Sequence, residues 1–421
     1  MWPIIYNILI TPCLPFFIIY GLTRQKIRKN LFERLFPSAK ESGNGNPLWI
    51  HAASIGEAII ADNLMQYTAE KDPANTFLIT TNTFYTKKLL QKKTRIPLQV
   101  YALPFDFLFS VKRFLRKKTP KGLLIIETEI WPNLIWQVKK RALPVIIVNG
   151  RISDSTFKNY LTFSFFMKSV FSHVDLVLAQ SEEHRERFIK IGMDPSRVIT
   201  TGNIKYFRAA KYTHGSAKKK AAVTFGSVKE KELDAVYKTI KDIKRLFPDY
   251  TIFIAPRELH LTNTIEKDLQ PSFSVSRYSA MKAGANSDAD IVVVDTIGDL
   301  LHLYGQSRIA FVGGSLAPYG GQNILEPLFF NVPVLFGPSV ENFKDIAGST
   351  LKLNAGIMVQ TADELTEKMT MLLRNDDLCR KMGNNAQLVI KEQRQAMEKT
   401  VDLILAALKI DKQFSSSMNI K

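Results

Sequence analysis

The sequence predicts an α/β protein of two Rossmann-like domains facing a cleft, with an N-terminal membrane anchor. Three observations predict it. Short β-branched runs alternate with longer helical stretches, the signature of parallel sheets with crossover helices. The chain has 421 residues, too many for one comfortable core and enough for two domains. A polar, basic stretch, Arg208–Lys220, with His214-Gly215-Ser216 and three consecutive lysines, separates two such halves and reads as a linker.

The first element is the anchor. Residues 1–23 carry no charged side chain and are mostly apolar, and about 20 apolar residues suffice to cross a bilayer as a helix. Pro3, Pro12 and Pro15 interrupt the run, so a bent or partly inserted helix is an equal expectation. Trp2, Tyr6 and Tyr20 read as interface anchors. Arg24, Lys26, Arg28, Lys29 and Arg34 follow at once, and the positive-inside rule assigns them and the remaining chain to the cytoplasmic side. No basic region precedes the apolar run, which argues against a cleaved signal peptide.

The first domain spans 24–207. Its strands are expected at Leu48–Ala52, Thr76–Thr80, Gln99–Ala102, Gly122–Ile126, Val145–Val148, Leu176–Ala179 and Arg197–Thr201. The second spans 221–410, with strands at Ala222–Phe225, Thr251–Ile254, Ile291–Val294, Ile309–Val312 and Val334–Phe336. Helices Ala362–Arg374 and Gln393–Leu408 close it, and 411–421 reads as a loose tail. Two such domains in series place a ligand at the carboxyl ends of their strands.

Composition narrows the function. Hydrophobic residues at 46% and charged ones at 23% exclude wholesale disorder. Two cysteines, Cys13 and Cys379, exclude a disulfide framework and a thiolate metal cluster. The formal net charge is +18, and residues 1–210 hold 30 Lys and Arg against 15 Asp and Glu, leaving 27 against 24 for the rest. So basic a first half implies a polyanionic partner: nucleic acid, an anionic membrane or a phosphorylated substrate. No known nucleic-acid motif is present.

Four segments carry candidate chemistry. In Trp49–Glu57 a buried strand ends near Ala52 and Glu57 sits at a helix start; such a carboxylate is ordinarily a cap, and alternatively a general base. In Glu127-Thr128-Glu129-Ile130-Trp131-Pro132-Asn133 two acids leave a strand directly, more than a cap requires. In Thr201-Gly202-Asn203-Ile204-Lys205, turn residues precede a lysine able to meet a leaving phosphate as a point charge. In Val312–Pro327 two glycine pairs, Gly313-Gly314 and Gly320-Gly321, lead into Asn323-Ile324-Leu325-Glu326. There the backbone is expected to approach a phosphate, the next helix to offer free N–H groups, and Glu326 to bind a ribose hydroxyl pair. No lysine follows the glycines and no Gly-x-Gly-x-x-Gly occurs, which excludes a P-loop and a dinucleotide fingerprint. Asp288-Ala289-Asp290 has metal-motif spacing but reads as a loop.

These segments, with Asn149–Ser153 and Pro256-Arg257, resemble the 3-deoxy-D-manno-octulosonic acid (Kdo) transferases of lipopolysaccharide assembly, from the anchor to about residue 400. The resemblance implies an inverting glycosyltransferase of the GT-B type. It moves Kdo from CMP-Kdo to the lipid A precursor, lipid IVA, at the cytoplasmic face of the inner membrane. By matching motif, Glu57 is the general base, and Glu127 and Lys205 support the transition state. CMP binding falls to Pro256, Arg257, Gly298, Asp299, Leu300, Asn323, Ile324, Leu325 and Glu326, with Ser227 near the phosphate. CMP-Kdo is then a co-substrate, and neither cofactor nor metal is expected. Two departures stand out: Glu258 follows Arg257 where the family has His, with His260 the nearest histidine, and Gln322 replaces His before Asn323. Neither position can carry a protonated histidine's charge.

The partners implied are CMP-Kdo, the lipid A precursor and the anionic inner membrane, with no nucleic acid. Lys87, Lys88, Lys92, Lys93, Arg95, Lys112, Arg113, Arg116, Lys117 and Lys118 are candidate contacts to phosphates. Phe105, Phe107, Phe109 and Phe114 lie beside them, with a core role preferred over acyl contact. Three other readings compete: a membrane-associated GT-B transferase using another nucleotide sugar and acceptor, a sugar-nucleotide epimerase, and a non-enzymatic binding protein. The anchor argues against the epimerase, and the glycine-rich loop against the last.

Overall fold

Among the described residues fourteen short runs, most of them rich in apolar residues, become strands because parallel sheets bury both faces. The computed structural model describes residues 1–37, 45–93, 96–116, 118–207, 221–284 and 288–418. The expected linker 208–220, Arg95, Lys117 and the side chains of Lys26, Lys92 and Lys93 lie outside what is described.

The chain divides into two units, Met1–Ala209 with Gln393–Lys421, and Ala210–Glu392. The first holds β1 (Leu48–His51), β2 (Phe77–Thr81), β3 (Leu98–Ala102), β4 (Gly122–Ile126), β5 (Val145–Gly150), β6 (Leu176–Ala179) and β7 (Val198–Thr200). They pair in parallel in the order β3-β2-β1-β4-β5-β6-β7. The order reverses between β1 and β4, so their carboxyl ends diverge around a crevice where α/β sheets bind ligands.

The second unit holds β8 (Ala222–Val228), β9 (Thr251–Pro256), β10 (Val275–Arg277), β11 (Ile291–Val293), β12 (Ile309–Val312), β13 (Val334–Phe336) and β14 (Gly356–Met358). Its order is β10-β11-β9-β8-β12-β13-β14, again all parallel, with the reversal between β8 and β12. Edge strands β10 and β14 escape the sequence reading because each is only three residues long, and β10 is largely polar.

Two boundaries differ from expectation. The segment Gln393–Leu408 goes with the first unit, because Met397, Val401, Ile404 and Leu408 pack with Leu48, Ile50 and Ile60. It is part of one helix, Asp376–Met418, whose Cys379 and Met382 pack in the core of the second unit. The backbone is helical to Met418, so most of the expected loose tail continues that helix, since extending a helix costs far less than starting one.

The N-terminal run forms helix Trp2–Ile10, a 3₁₀ turn Thr11–Cys13 and helix Leu14–Thr23. Each proline sits at the first or second position of its element, where no intrahelical N–H is missed. By length and composition the run Trp2–Thr23 can cross a membrane. One side of it packs on the first unit: Trp2 and Tyr6 join the core around Trp136, and Ile10, Leu14, Phe17 and Ile18 cover Leu31, Leu35, Phe105 and Phe107. Phe105, Phe107 and Phe114 are thus core residues, whereas Phe109 is 38% exposed.

Buried Asp106 ties this run to the sheet. It accepts from the Asn133 and Leu134 N–H groups, each 2.9 Å, at the start of helix Pro132–Lys139, and from the Tyr6 hydroxyl at 2.9 Å. Burial pushes its carboxyl up to about 7, against the pull of those three donors. A folded value above the ordinary 3.8 means that stability is complete below that value and is lost as pH rises through about 7. All four tryptophans lie in this unit, so tryptophan fluorescence reports its unfolding alone. Its denaturation midpoint is expected to fall between about pH 4 and about pH 7, and Asp106→Asn to flatten that slope; an unchanged slope in the variant refutes the assignment.

Two basic residues are buried, Lys118 from the expected phosphate contacts and Arg34 from the cluster after the apolar run. Lys118 is buried and donates to the Tyr101 hydroxyl at 2.8 Å. Arg34 is buried on Phe105, with Nε donating to the Leu103 carbonyl at 2.8 Å. Burial lowers its pKa to about 10.

Candidate active site

In the first unit β1 ends at His51, and Ala52-Ala53-Ser54 turn the chain into helix Ile55–Lys71. Ser54 caps that helix by accepting the Glu57 N–H at 3.2 Å. The Glu57 carboxylate reaches back over the cap: Ser54 Oγ donates to Oε1 and the Ala53 N–H, one residue before the cap, donates to Oε2, each at 2.7 Å. The capping role weighed from the sequence is therefore real, and it holds the carboxylate in one position. Burial raises the Glu57 pKa above 4.5; the Ser54 and Ala53 hydrogen bonds pull it down, while the Glu129 and Glu127 charges add to the rise.

Those two acids leave β4, next to β1 at the reversal of strand order. Glu127 has φ +60°, a left-handed conformation costly for this residue type, and its N–H donates to the Val148 carbonyl at 2.8 Å. Glu129 accepts from Asn82 Nδ2 at 3.3 Å, and Asn82 Oδ1 accepts from Arg34 at 3.2 Å. His51 lies buried beneath: Nδ1 stands 3.1 Å from both the carbonyl oxygen and the hydroxyl of Thr80, and Nε2 lies 4.0 Å from Glu129 Oε2. The His51 ring is the main influence holding the Glu129 pKa below its ordinary value. The structure thus gathers Glu57, Glu127 and Glu129 at one crevice, with Glu57 pushed up and Glu129 held down.

Lys205 follows β7, three strands from β4. Its loop is drawn back toward β5 by Asn149, itself at φ +58°, whose Oδ1 accepts the Ile204 N–H at 3.0 Å. The same loop packs on the helix that bears Glu57: Asn63 Nδ2 donates to the Phe207 carbonyl at 2.7 Å, and Tyr67 meets the Phe207 ring edge-on. Lys205 Nζ stands 5.8 Å from the centre of the Tyr206 ring.

In the second unit the expected donor-binding residues all sit at carboxyl ends of strands. Ser227, at φ +55°, marks a register shift in β8. Buried Pro256 ends β9, followed by exposed Arg257, whose N–H donates to the Val228 carbonyl at 2.8 Å. Gly298, Asp299 and Leu300 follow β11, with the Asp299 carboxylate accepting from Thr296 at 2.6 Å and Lys282 at 3.0 Å. Asn323, Ile324, Leu325 and Glu326 end the loop after β12; Asn323 Oδ1 accepts the Leu325 N–H at 3.2 Å, its amide donates to Glu326 at 3.3 Å, and Ile324 and Leu325 are buried.

The glycine-rich loop differs from expectation. Its amides do not wait for a phosphate, because buried Glu232 already takes them. Glu232 Oε2 accepts the Gly314 N–H at 2.6 Å, and Oε1 accepts those of Ser315 at 2.9 Å and Leu316 at 2.8 Å. The Gly320 N–H donates to Ser339 Oγ at 2.8 Å, and the Gly321 N–H to the Gly314 carbonyl at 2.7 Å. The following helix, Leu325–Leu328, is a single turn. Gly313 is needed for close approach: a Cβ there would stand 2.7 Å from Val228 Cα. Sequence reasoning missed Glu232 because Glu230-Lys231-Glu232 reads as a solvated charge run. It also missed Asn149 as a tether, and His51, Asn82 and Arg34 as the support of Glu129.

Among the described residues no three His, Cys, Asp or Glu side chains gather to hold a metal. Asp290 is engaged otherwise, accepting from Ser274 Oγ at 2.8 Å and pairing with Lys244 at 2.7 Å.

Similarity to known proteins now bears on this geometry. The family model described as 3-Deoxy-D-manno-octulosonic-acid transferase (kdotransferase) matches residues 29–208. The 3-deoxy-D-manno-octulosonic acid transferase of Haemophilus influenzae is 29% identical over 420 residues, 96% of this chain and 98% of that protein. The Aquifex aeolicus protein described in the same words is 30% identical over 344 residues, covering 82% of this chain and 90% of its own. The chain belongs to the Kdo transferase family. It is therefore a glycosyltransferase. A solved UDP-GlcNAc 2-epimerase from Neisseria meningitidis shares the fold of this Kdo transferase family member, with TM-score 0.57 and 13% identity over 86% of this chain and all of that one.

Proposed function

We propose that the chain transfers Kdo with inversion from CMP-Kdo to a lipid A precursor, lipid IVA, at the cytoplasmic face of the inner membrane. The observation that carries the reading is the Glu57 carboxylate, buried, doubly held and pushed up by burial and two neighbouring acids, in a member of this family. A base works best when its pKa lies nearer the working pH than that of an ordinary carboxylate.

Glu57 removes the proton of the acceptor hydroxyl, and the freed oxygen attacks the anomeric C2 of Kdo as the C2–O bond to cytidylate breaks. Charge develops on the leaving phosphate, and the ring passes through an oxocarbenium-like state. Lys205 and Arg257 offset the phosphate charge, and Glu127 supports the cationic ring. The cytidine monophosphate lies against Pro256, Arg257, Gly298, Asp299 and Leu300, with Asn323 to Glu326 at the ribose and Ser227 near the phosphate. No metal or cofactor enters the scheme.

Incubation with CMP-Kdo, generated in place, and a tetraacylated glucosamine disaccharide in EDTA tests the whole reading. Mass spectrometry should show acceptor plus Kdo; no added sugar, or transfer from another nucleotide sugar instead, overturns it. The pH profile tests the base. Glu57 works ionised, so turnover falls as pH drops through a midpoint above 4.5. Ser54→Ala deletes a hydrogen bond that favours the ionised form, so that midpoint should move further up, with a stability loss of about 1 kcal/mol from the cap; a downward shift contradicts the assignment.

A further inference from the structure

The run Trp2–Thr23 has two faces. Trp2, Tyr6, Ile10 and Leu14, four apart, and then Phe17 and Ile18 pack on the first unit, and the Asn7 amide donates to Asn133 Oδ1 at 2.8 Å. The opposite face is open and equally apolar: Ile4 is 67% exposed, Ile8 65%, Leu9 67%, Phe16 76% and Ile19 63%. A helix that is apolar all round is ordinarily buried or surrounded by lipid. Here the protein covers only one half along the whole length.

Both ends of the open face continue into exposed aromatics of the same unit. Trp2 meets Phe166 at 5.7 Å, beside Phe163 and Phe165, which are 65% and 82% exposed. At the other end Phe17, Phe107, Phe109 and Phe36 form a chain of ring contacts at 5.8–5.9 Å, and Phe36 is 55% exposed. The rim is cationic: Arg24, Arg28, Lys29, Lys112, Arg113 and Arg116 are all exposed, and the first acid in the chain, Glu33, is engaged by Lys87 at 2.7 Å. A groove of about 650 Å³ opens along the helix between Ile4, Ile8, Pro12 and Leu108, with Lys140 in its wall.

We infer that the N-terminal helix lies in the plane of an anionic membrane, clasped to the first unit on one side and to lipid on the other, and does not cross the bilayer. The inference deepens the membrane part of the proposed function and rests on that part alone. Crossing would carry Trp2 and Tyr6 to the far side of the bilayer, away from Phe166 and Asp106. Lying flat keeps every packed contact, sinks the open face among acyl chains and sets the cationic rim at the phosphates. The groove then accepts part of a lipid tail.

Cross-linking on vesicles tests it. The full-length chain carries Cys13→Ser and Cys379→Ser, then either Trp2→Cys with Phe166→Cys or Phe17→Cys with Phe105→Cys. It is floated with phosphatidylcholine vesicles containing or lacking phosphatidylglycerol and oxidised with copper-phenanthroline. The expected result is flotation that needs phosphatidylglycerol, disulfide formation by both pairs on the vesicle, and labelling of the Trp2→Cys single variant by an impermeant maleimide added outside. Flotation with the Trp2 pair reduced, or label reaching that site only after lysis, overturns the in-plane helix and leaves the membrane reading standing. Absence of flotation overturns both. Ile8→Glu with Phe16→Glu, on the exposed face, should weaken flotation about tenfold or more with tryptophan fluorescence unchanged; undiminished flotation overturns the assignment of that face.

Discussion

Glu57→Ala is expected to lower turnover about a thousandfold while CMP binding stays within about a factor of two, because a positioned base contributes roughly 10²–10⁴ to rate and little to donor affinity. The alanine variant also loses the two hydrogen bonds from Ser54 and Ala53 at the helix start, at about 1 kcal/mol of stability in the first unit, which tryptophan fluorescence measures. The decisive variant is Glu57→Gln. A glutamine amide can accept from the Ala53 N–H through its oxygen and donate to Ser54 through its nitrogen, so it preserves the cap but cannot take a proton. If Glu57 only caps its helix, Glu57→Gln turns over almost normally. If it is the base, Glu57→Gln is as slow as Glu57→Ala although its denaturation midpoint is near wild type. Mass-spectrometric turnover and calorimetric CMP titration on both variants separate the two outcomes.

Glu232→Ala is the second large effect, and it falls on the other unit. One buried carboxylate satisfies the N–H groups of Gly314, Ser315 and Leu316, together with that of Lys229 at 3.1 Å. Removing it leaves those donors without that partner, the Gly314 and Ser315 N–H groups in buried positions, and each such buried group costs about 1–3 kcal/mol. Partial relaxation should leave a net loss of about 3–5 kcal/mol, the range for breaking a buried charged contact. Hydrogen exchange across 312–327 should rise and CMP affinity should fall by about tenfold or more, since Asn323 to Glu326 hang on that loop. The first unit, which holds all four tryptophans and none of these hydrogen bonds, should keep its usual midpoint by tryptophan fluorescence. Glu232→Gln should be milder, keeping one acceptor oxygen while turning donors toward the other amides. Wild-type exchange and affinity in Glu232→Ala would show that the loop needs no carboxylate.

Much of the fold is legible because parallel strands are buried on both faces. Gly122–Ile126 and Ile309–Val312 coincide with the expected strands to the residue, each being a fully buried run bounded by polar or turn residues. The edge strands Val275–Arg277 and Gly356–Met358 were not legible, since each is three residues long, too short for a periodic signal. Glu57 was legible through Ser54-Ile55-Gly56-Glu57, a capping-box pattern after an apolar strand. Lys118 is buried although the sequence offered it as a phosphate contact, because composition records a charge but not whether Tyr101 lies over it.

Local spacing alone therefore determined the parallel α/β architecture, the strand exits bearing Glu57, Glu127 and Arg257, and the apolar N-terminal run. Those features follow from period and turn chemistry, which act between near neighbours in the chain. Tertiary structure decided that Glu232 fills the glycine loop from 82 residues away, that Asn149 draws the Lys205 loop back across 55 residues, and that the last helix returns to the first core. It also decided which half of the N-terminal helix is covered. Such contacts are set by which chain segments meet in three dimensions, and no periodicity in the sequence records that meeting.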